Sequence, residues 1–206
     1  MKQDKETRNK LLQSAHKEFM EKGYMNASLR NICKNAGVTT GALYFFFKDK
    51  SDLFEALSKD TIDGIFQMMQ KHFQLEKDLN AGEIFEKLDA DNGTEDYEDS
   101  KRIIHHMYQN RENILLVLTK SQGSSLEHIE DRFIEAVEVQ YRVLAQKMQQ
   151  LQPEKVLDDS FIHWLAHMQI DAFIYMITHI EKEEEAVKFM GQAVPYMVKG
   201  WYGLFS

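Results

Sequence analysis

Thr39, Thr40, Gly41 and Tyr44 stand together in residue types suited to one kind of chemistry, the non-covalent gripping of a polyanion. Hydroxyls donate hydrogen bonds to phosphate oxygens, and a phenol offers a flat ring with a polar tip. A glycine without a side chain allows close approach of a backbone. At helical spacing Leu43 and Phe47 fall at i and i+4 and face inward together. The four residues above are then left for the outside, where a sugar-phosphate backbone and base edges would be met. In the run Phe45-Phe46-Phe47, Phe47 reads as core. Phe45 and Phe46 cannot both share the inward face of Leu43, so partial exposure is expected there.

Other candidate chemistry is weaker. His163 and His167 stand at i and i+4 with Asp171 one turn further on, a spacing at which both imidazoles could face one metal. Histidines so placed on a partly buried helix more often satisfy hydrogen bonds, and neither a metal nor a cofactor is expected. His16 with Glu18, and His72 with Glu76, are scattered on helices without a third partner. No nucleophile elbow, phosphate-binding glycine loop or zinc-protease helix occurs, so the chain does not read as an enzyme. Cys33 is the lone cysteine, which excludes an intrachain disulfide and a thiolate cluster. Between Ile32 and Lys34 it reads as a small buried thiol.

The elements that must position these residues are all helical. The chain has 206 residues, 43% of them hydrophobic and only 2 proline. Met, Leu, Glu, Lys and Gln are plentiful, and no long stretch alternates apolar with polar residues, so the expected fold class is all-α. A first helix spans Asp4 to Lys22 with Leu11, Leu12, Ala15, Phe19 and Met20 as its apolar stripe, and Gly23 ends it. A two-turn helix from Leu29 to Ala36 follows, with Ser28 or Ala27 near its cap. Gly37 then begins a short turn into the helix of Leu43. Two short helices joined by a tight, glycine-containing turn have helix-turn-helix geometry.

The formal net charge is −8, yet its distribution is uneven. Residues 1–50 carry ten Lys and Arg against five Asp and Glu, whereas the remainder carries fifteen against twenty-eight. A basic end on an acidic body would attract phosphates while discouraging indiscriminate adhesion to nucleic acid. The opening residues MKQDKETRNK are too charged for a secretory signal, and no apolar run has the length of a membrane span. A soluble, cytoplasmic protein with no membrane partner is expected.

The ordered series from Thr7 to Leu57 resembles the TetR family of bacterial transcriptional regulators. It comprises Ala15 and Phe19, Gly23-Tyr24, Ser28-Leu29 and Ile32 through Ala36-Gly37-Val38. Most specific are Thr40-Gly41-Ala42-Leu43-Tyr44, then Phe47-Lys48-Asp49-Lys50 and Leu53-Phe54. The resemblance implies an N-terminal three-helix helix-turn-helix DNA-binding domain over residues 1–50. It also implies a helical ligand-sensing and dimerisation domain over residues 51–206. The function implied is ligand-responsive regulation, most simply a repressor released from a palindromic operator on double-stranded DNA. A transcriptional activator of the same fold and a helical protein-interaction module are the alternatives. Carried over by position, Ser28 lies beside a phosphate, and Thr39, Thr40 and Gly41 begin the recognition helix in the major groove. Tyr44 and Lys50 reach phosphates, and Phe45 lies near the DNA. Phe46 departs from the pattern, standing where many members carry a histidine able to hydrogen-bond a phosphate. Lys48 reads as a solvated turn charge, while Arg30 and Lys34 stay open between surface charge and distal phosphate contact.

Beyond Ser51 the chain reads as successive helices of different lengths. A short one is expected around Glu83–Leu88, then an acidic loop from Asp89 to Asp99. Helices follow at about Ser100–Gln109, Arg111–Ser121, Leu126–Gln152, Asp159–Ile180 and Glu183–Phe205. The last two are apolar on more than one side, which calls for burial on more than one side. Pairing with the same helices of a second copy would supply it, giving a homodimer of the kind the family generally forms. An unknown small-molecule effector is expected in the body. Met107, Tyr108, Phe133, Tyr141, Met168, Phe173 and Tyr175 are candidate lining residues, most of them expected to be ordinary core.

Overall fold

The computed structural model describes residues 2–84 and 94–205. Its helices are α1 (Lys2–Asn26), α2 (Leu29–Ala36), α3 (Thr40–Phe46), α4 (Lys50–Asp78) and α5 (Thr94–Gln109). They continue with α6 (Arg111–Lys120), α7 (Ile129–Leu151), α8 (Asp159–His179) and α9 (Glu183–Gly203). No strand occurs among the described residues, in keeping with the all-α class.

Most boundaries follow from local chemistry. Gly23 interrupts α1 at φ 71°, a left-handed value, and Tyr24–Asn26 form one further helical turn beyond the kink. The helix therefore ends three residues later than the glycine signal alone suggests. Asp158 caps α8 by accepting the Ser160 amide at 2.8 Å, and Pro153 stands just past the end of α7. At the start of α4, Asp52 accepts the Lys48 amide at 2.8 Å while Asp49 accepts the Asp52 amide at 2.9 Å. This exchange satisfies amides that a helix start leaves without intrahelical partners.

The expected acidic loop is overturned in its second half, because α5 already begins at Thr94. Its acidic first turns suit the positive end of the helix dipole. Tyr97 also lies close against Gly191 of α9, where an added Cβ would stand 3.3 Å from the phenol oxygen. That packing extends the helix beyond what the polarity of the stretch suggests. The remainder of the expected loop, and residues 85–88 of the expected short helix, lie outside the described residues.

The chain divides into two compact units, residues 1–63 with 110–129, and residues 64–109 with 130–206. In the first unit Leu11, Ala15, Phe19, Ile32, Leu43, Phe47, Leu53, Phe54 and Leu116 are all essentially sealed from solvent. The Phe19 and Phe54 rings meet edge to face at 4.9 Å, an arrangement favoured by the aromatic quadrupole. In the second unit Ile84, Leu144, Met148, Leu165, Trp201 and Phe205 form one apolar cluster.

Gly37 holds the α2–α3 turn at φ 68°, ψ 31°. The Gly37 amide donates to Lys34 at 3.2 Å and the Val38 amide to Cys33 at 3.0 Å, closing α2 with a Schellman pattern. An added Cβ at Gly37 meets nothing within 4 Å, so the demand for glycine there is purely conformational. Gly37→Ala is expected to lose about 1–2 kcal/mol in urea denaturation, the cost of a left-handed non-glycine residue. Gly37→Asn should lose less.

Candidate nucleic-acid interface

The outward face of α3 is set by what α3 buries. Leu43 is fully buried and Phe47 is 2% exposed, while Tyr44 is 55% exposed and Phe45 75%. Thr39, Thr40 and Gly41 are exposed as well. The structure thus brings Thr39, Thr40, Gly41, Tyr44 and Phe45 onto one accessible stretch. Phe46 is half-buried between its neighbours, its ring edge-on to Phe45 at 4.9 Å. Arg8 of α1 lies 5.4 Å from the Phe47 ring centroid, a cation–π contact.

Two hydroxyls act as helix caps. Thr39 Oγ1 accepts the Ala42 amide at 3.2 Å, and Ser28 Oγ accepts the Asn31 amide at 3.4 Å. A hydroxyl that accepts from the backbone keeps its own proton for another acceptor. Each cap can therefore donate outward without giving up its structural bond.

Lys50 is placed differently from the surface lysines. Its Nζ donates to the carbonyls of Met25 and Ala27, both at 3.1 Å, and lies 4.7 Å from the Tyr24 ring centroid. Burial pushes its ammonium pKa below the usual lysine value. It clamps the α1–α2 connector while retaining a third N–H. Cys33 is buried, its thiol pushed up by that burial, as expected of a packing residue.

Glu18 went unrecognised as a bracing residue from sequence. It is 6% exposed, and its Oε1 accepts from the Ser28 amide at 3.1 Å and from the Asn31 side-chain amide at 3.3 Å. Ser14 adds a bond from its Oγ to the Ile32 carbonyl at 2.8 Å. Both tie α1 to α2. The only sequence signal was that Glu18 shares the helical face of Leu11 and Ala15, where an acid is out of place unless it has donors.

The candidate effector residues do not all converge. Tyr141 and Met168 pack against the cluster of Trp201 and Leu165, and the Tyr141 hydroxyl donates to Gln169 at 2.7 Å. Met107 is buried. Phe133 stacks on Phe66 at 4.2 Å, and the Tyr108 hydroxyl is engaged by the Ile180 carbonyl at 2.8 Å. Phe173 is half-buried, while Tyr175 is 52% exposed and stacks on His179 at 4.4 Å. Trp201 is 5% exposed and stacks on Tyr141 at 4.8 Å. Its indole N–H finds no partner among the described residues. His163 Nδ1 donates to the Glu138 carboxylate at 2.7 Å, and its Nε2 lies 3.1 Å from His167 Nε2, so this pair is engaged in hydrogen bonding.

Residues 11–57 match the model of the family described as bacterial regulatory proteins, tetR family. The HTH-type transcriptional regulator AcrR of Shigella flexneri is 50% identical over 52 residues, covering 25% of this chain and 24% of that protein. The HTH-type transcriptional repressor BepR of Brucella suis is 44% identical over 52 residues, covering 25% of each. The match thus spans about a quarter of the length of these relatives. A putative TetR-family regulator from Syntrophomonas wolfei shares the fold at a TM-score of 0.57 and 21% identity, covering 98% of this chain and 95% of its own. A gamma-butyrolactone receptor (ArpA-like) does so at 0.53 and 17%, covering 98% of each chain.

Over residues 11–57 this chain is thus similar to bacterial regulatory proteins of the tetR family, and over nearly its whole length it shares the fold of solved structures given that name. The relatives it matches are named as transcriptional regulators rather than enzymes.

The split of the aromatic run can be checked by stability alone. Phe45→Ser should leave unfolding free energy within about 0.5 kcal/mol of wild type, as for other exposed sites. Phe47→Ala should cost about 3–5 kcal/mol by chemical denaturation.

Proposed function

We propose that the chain is a ligand-responsive, DNA-binding transcriptional regulator acting in the cytoplasm, a repressor released from a palindromic operator by a small molecule. The observation that carries this reading is the exposed face of α3, with Thr39, Thr40, Gly41, Tyr44 and Phe45 outward while Leu43 and Phe47 are sealed inside. Residues 1–50 are the DNA-reading domain and residues 51–206 the sensing and dimerising body. Ser28, Tyr44 and Lys50 grip phosphates, and the start of α3 meets base edges in the major groove.

The dimer forms through α8 and α9. Trp164 is 53% exposed and Tyr175 52% on α8, with Tyr196 71% exposed on α9, large apolar area that a second copy would cover. Two-fold symmetry would set the recognition helices about 34 Å apart, one turn of duplex. The effector binds in the body, where Tyr141 and Met168 adjoin the unpartnered Trp201 N–H. It acts by favouring a spacing of the two DNA-reading domains that fits the operator poorly. A coupling free energy of about 1–3 kcal/mol changes operator affinity by about 5–150-fold.

Selection of the purified protein on randomised duplex DNA tests the reading. An enriched palindrome is expected, with affinity that falls steeply as salt rises and binding lost in Tyr44→Ala. No enrichment at low salt would overturn it. Sedimentation at micromolar concentration should give a dimer, and Trp164→Glu with Tyr196→Glu should shift it toward monomer.

A further inference from the structure

His72 of α4 is surrounded by acids from its own helix and from α5. Its Nδ1 lies 2.6 Å from Asp99 Oδ2, and its Nε2 lies 3.1 Å from Asp96 Oδ1 and 3.7 Å from Glu76 Oε1. Glu76 comes from the next turn of α4, while Asp96 and Asp99 come from α5. Side-chain exposure is 17% for His72 and Glu76, 27% for Asp96 and 15% for Asp99. The three inner atoms, on His72, Glu76 and Asp96, all lie within 4.8 Å of one another.

Those separations match metal coordination. Ligand atoms about 2.1 Å from one ion in a tetrahedral arrangement stand about 3.4 Å apart, and the two measured distances from Nε2 bracket that value. The outer contacts resemble the supporting groups of metal sites. Asp99 takes the Nδ1 side of the imidazole, which directs Nε2 toward the other two acids, and its second oxygen pairs with Arg102. Gln140, 7% exposed, donates from Nε2 to Glu76 Oε2 at 2.6 Å and so turns Oε1 toward His72. Burial, and after it the charges of Glu76 and Asp96, hold the phenols of Tyr141 and Tyr202 above the usual tyrosine range. The negative charge of the pair is thus felt by both rings.

We propose that His72, Glu76 and Asp96 bind one divalent first-row cation of the zinc type, with Asp99 and Gln140 as positioning residues. One imidazole nitrogen and two carboxylate oxygens suit zinc and its neighbours rather than the all-oxygen shells of calcium or magnesium. This differs from the absence of metal expected from sequence, and it stands whether or not the chain binds DNA. A proton and a metal compete for the Nε2 lone pair, so the test must detect the ion itself.

Full-length protein stripped with chelator is titrated with zinc ion in competition with a chromophoric chelator, and separately with cobalt(II). One ion per chain is expected, with cobalt giving the intense visible bands of four-coordinate geometry. His72→Gln and Asp96→Asn should abolish the stoichiometric site, and Asp99→Asn should weaken it by about 10–100-fold, as for other outer partners of metal ligands. His163→Gln should leave it intact. Zinc affinity unchanged in His72→Gln and Asp96→Asn, or lost in His163→Gln instead, overturns the proposal, as does the absence of stoichiometric binding to wild type. If the variants fail to fold, cobalt-loaded wild-type crystals decide. An anomalous peak between His72, Glu76 and Asp96 supports the site, and a peak elsewhere or none overturns it.

Discussion

The rotation of α3 about its own axis is the constraint on which the candidate interface depends. Seven residues leave two turns, too short for the helix to be stable by propensity alone. Its orientation is therefore fixed by tertiary burial, supplied by Leu43 within the helix and by Phe47 at its extended C-cap. With both sealed, the 100° step of the helix forces Tyr44 and Phe45 outward together. A rotation that covered Phe45 would expose Leu43, exchanging one large apolar side chain for another while opening the core. The fully packed interior around Phe19, Phe54 and Ile32 makes the observed choice the better one.

That choice needs α2 held at a defined angle, and here polar groups complete what packing begins. The carboxylate of Glu18 is nearly sealed from water, a cost offset only because the Ser28 amide and the Asn31 side chain both donate to it. The Ser28 amide belongs to a helix start, where the backbone lacks partners of its own. One acid therefore satisfies the entrance to α2 and fastens that entrance to α1. Ser14, one turn earlier in α1, reaches the Ile32 carbonyl from the same side.

Local signals carried the fold a long way. Gly37 announced a turn, and the pair Leu43 and Phe47 announced the inward face of α3, each within five residues of the feature it determines. What the sequence hid lies in pairings across long separations. Glu18, paired in sequence only with His16, found its partners when α2 brought Ser28 and Asn31 to it. His72 and Glu76 formed an unfinished motif whose completing acids, Asp96 and Asp99, sit in a stretch polar enough to read as loop. Helical periodicity ranks residues by hydrophobicity, and so it cannot distinguish a solvated acid from one whose partner arrives from another helix.

Lys50 shows how scaffold and proposed grip are joined in one side chain. A lysine free in solvent holds its ammonium at a phosphate only by giving up the freedom of four rotatable bonds. In Lys50 that freedom is already spent, because the carbonyls of Met25 and Ala27 fix Nζ whether or not DNA is present. Burial lowers its pKa from the usual lysine value. The same logic applies to Ser28 and Thr39, whose hydroxyls are oriented by the amides they cap. Phe46 brings no such donor, so the proposed backbone grip falls on groups already fixed by folding. Preorganisation lowers the entropy lost on association, and an interface with fewer donors can in that way keep its hold.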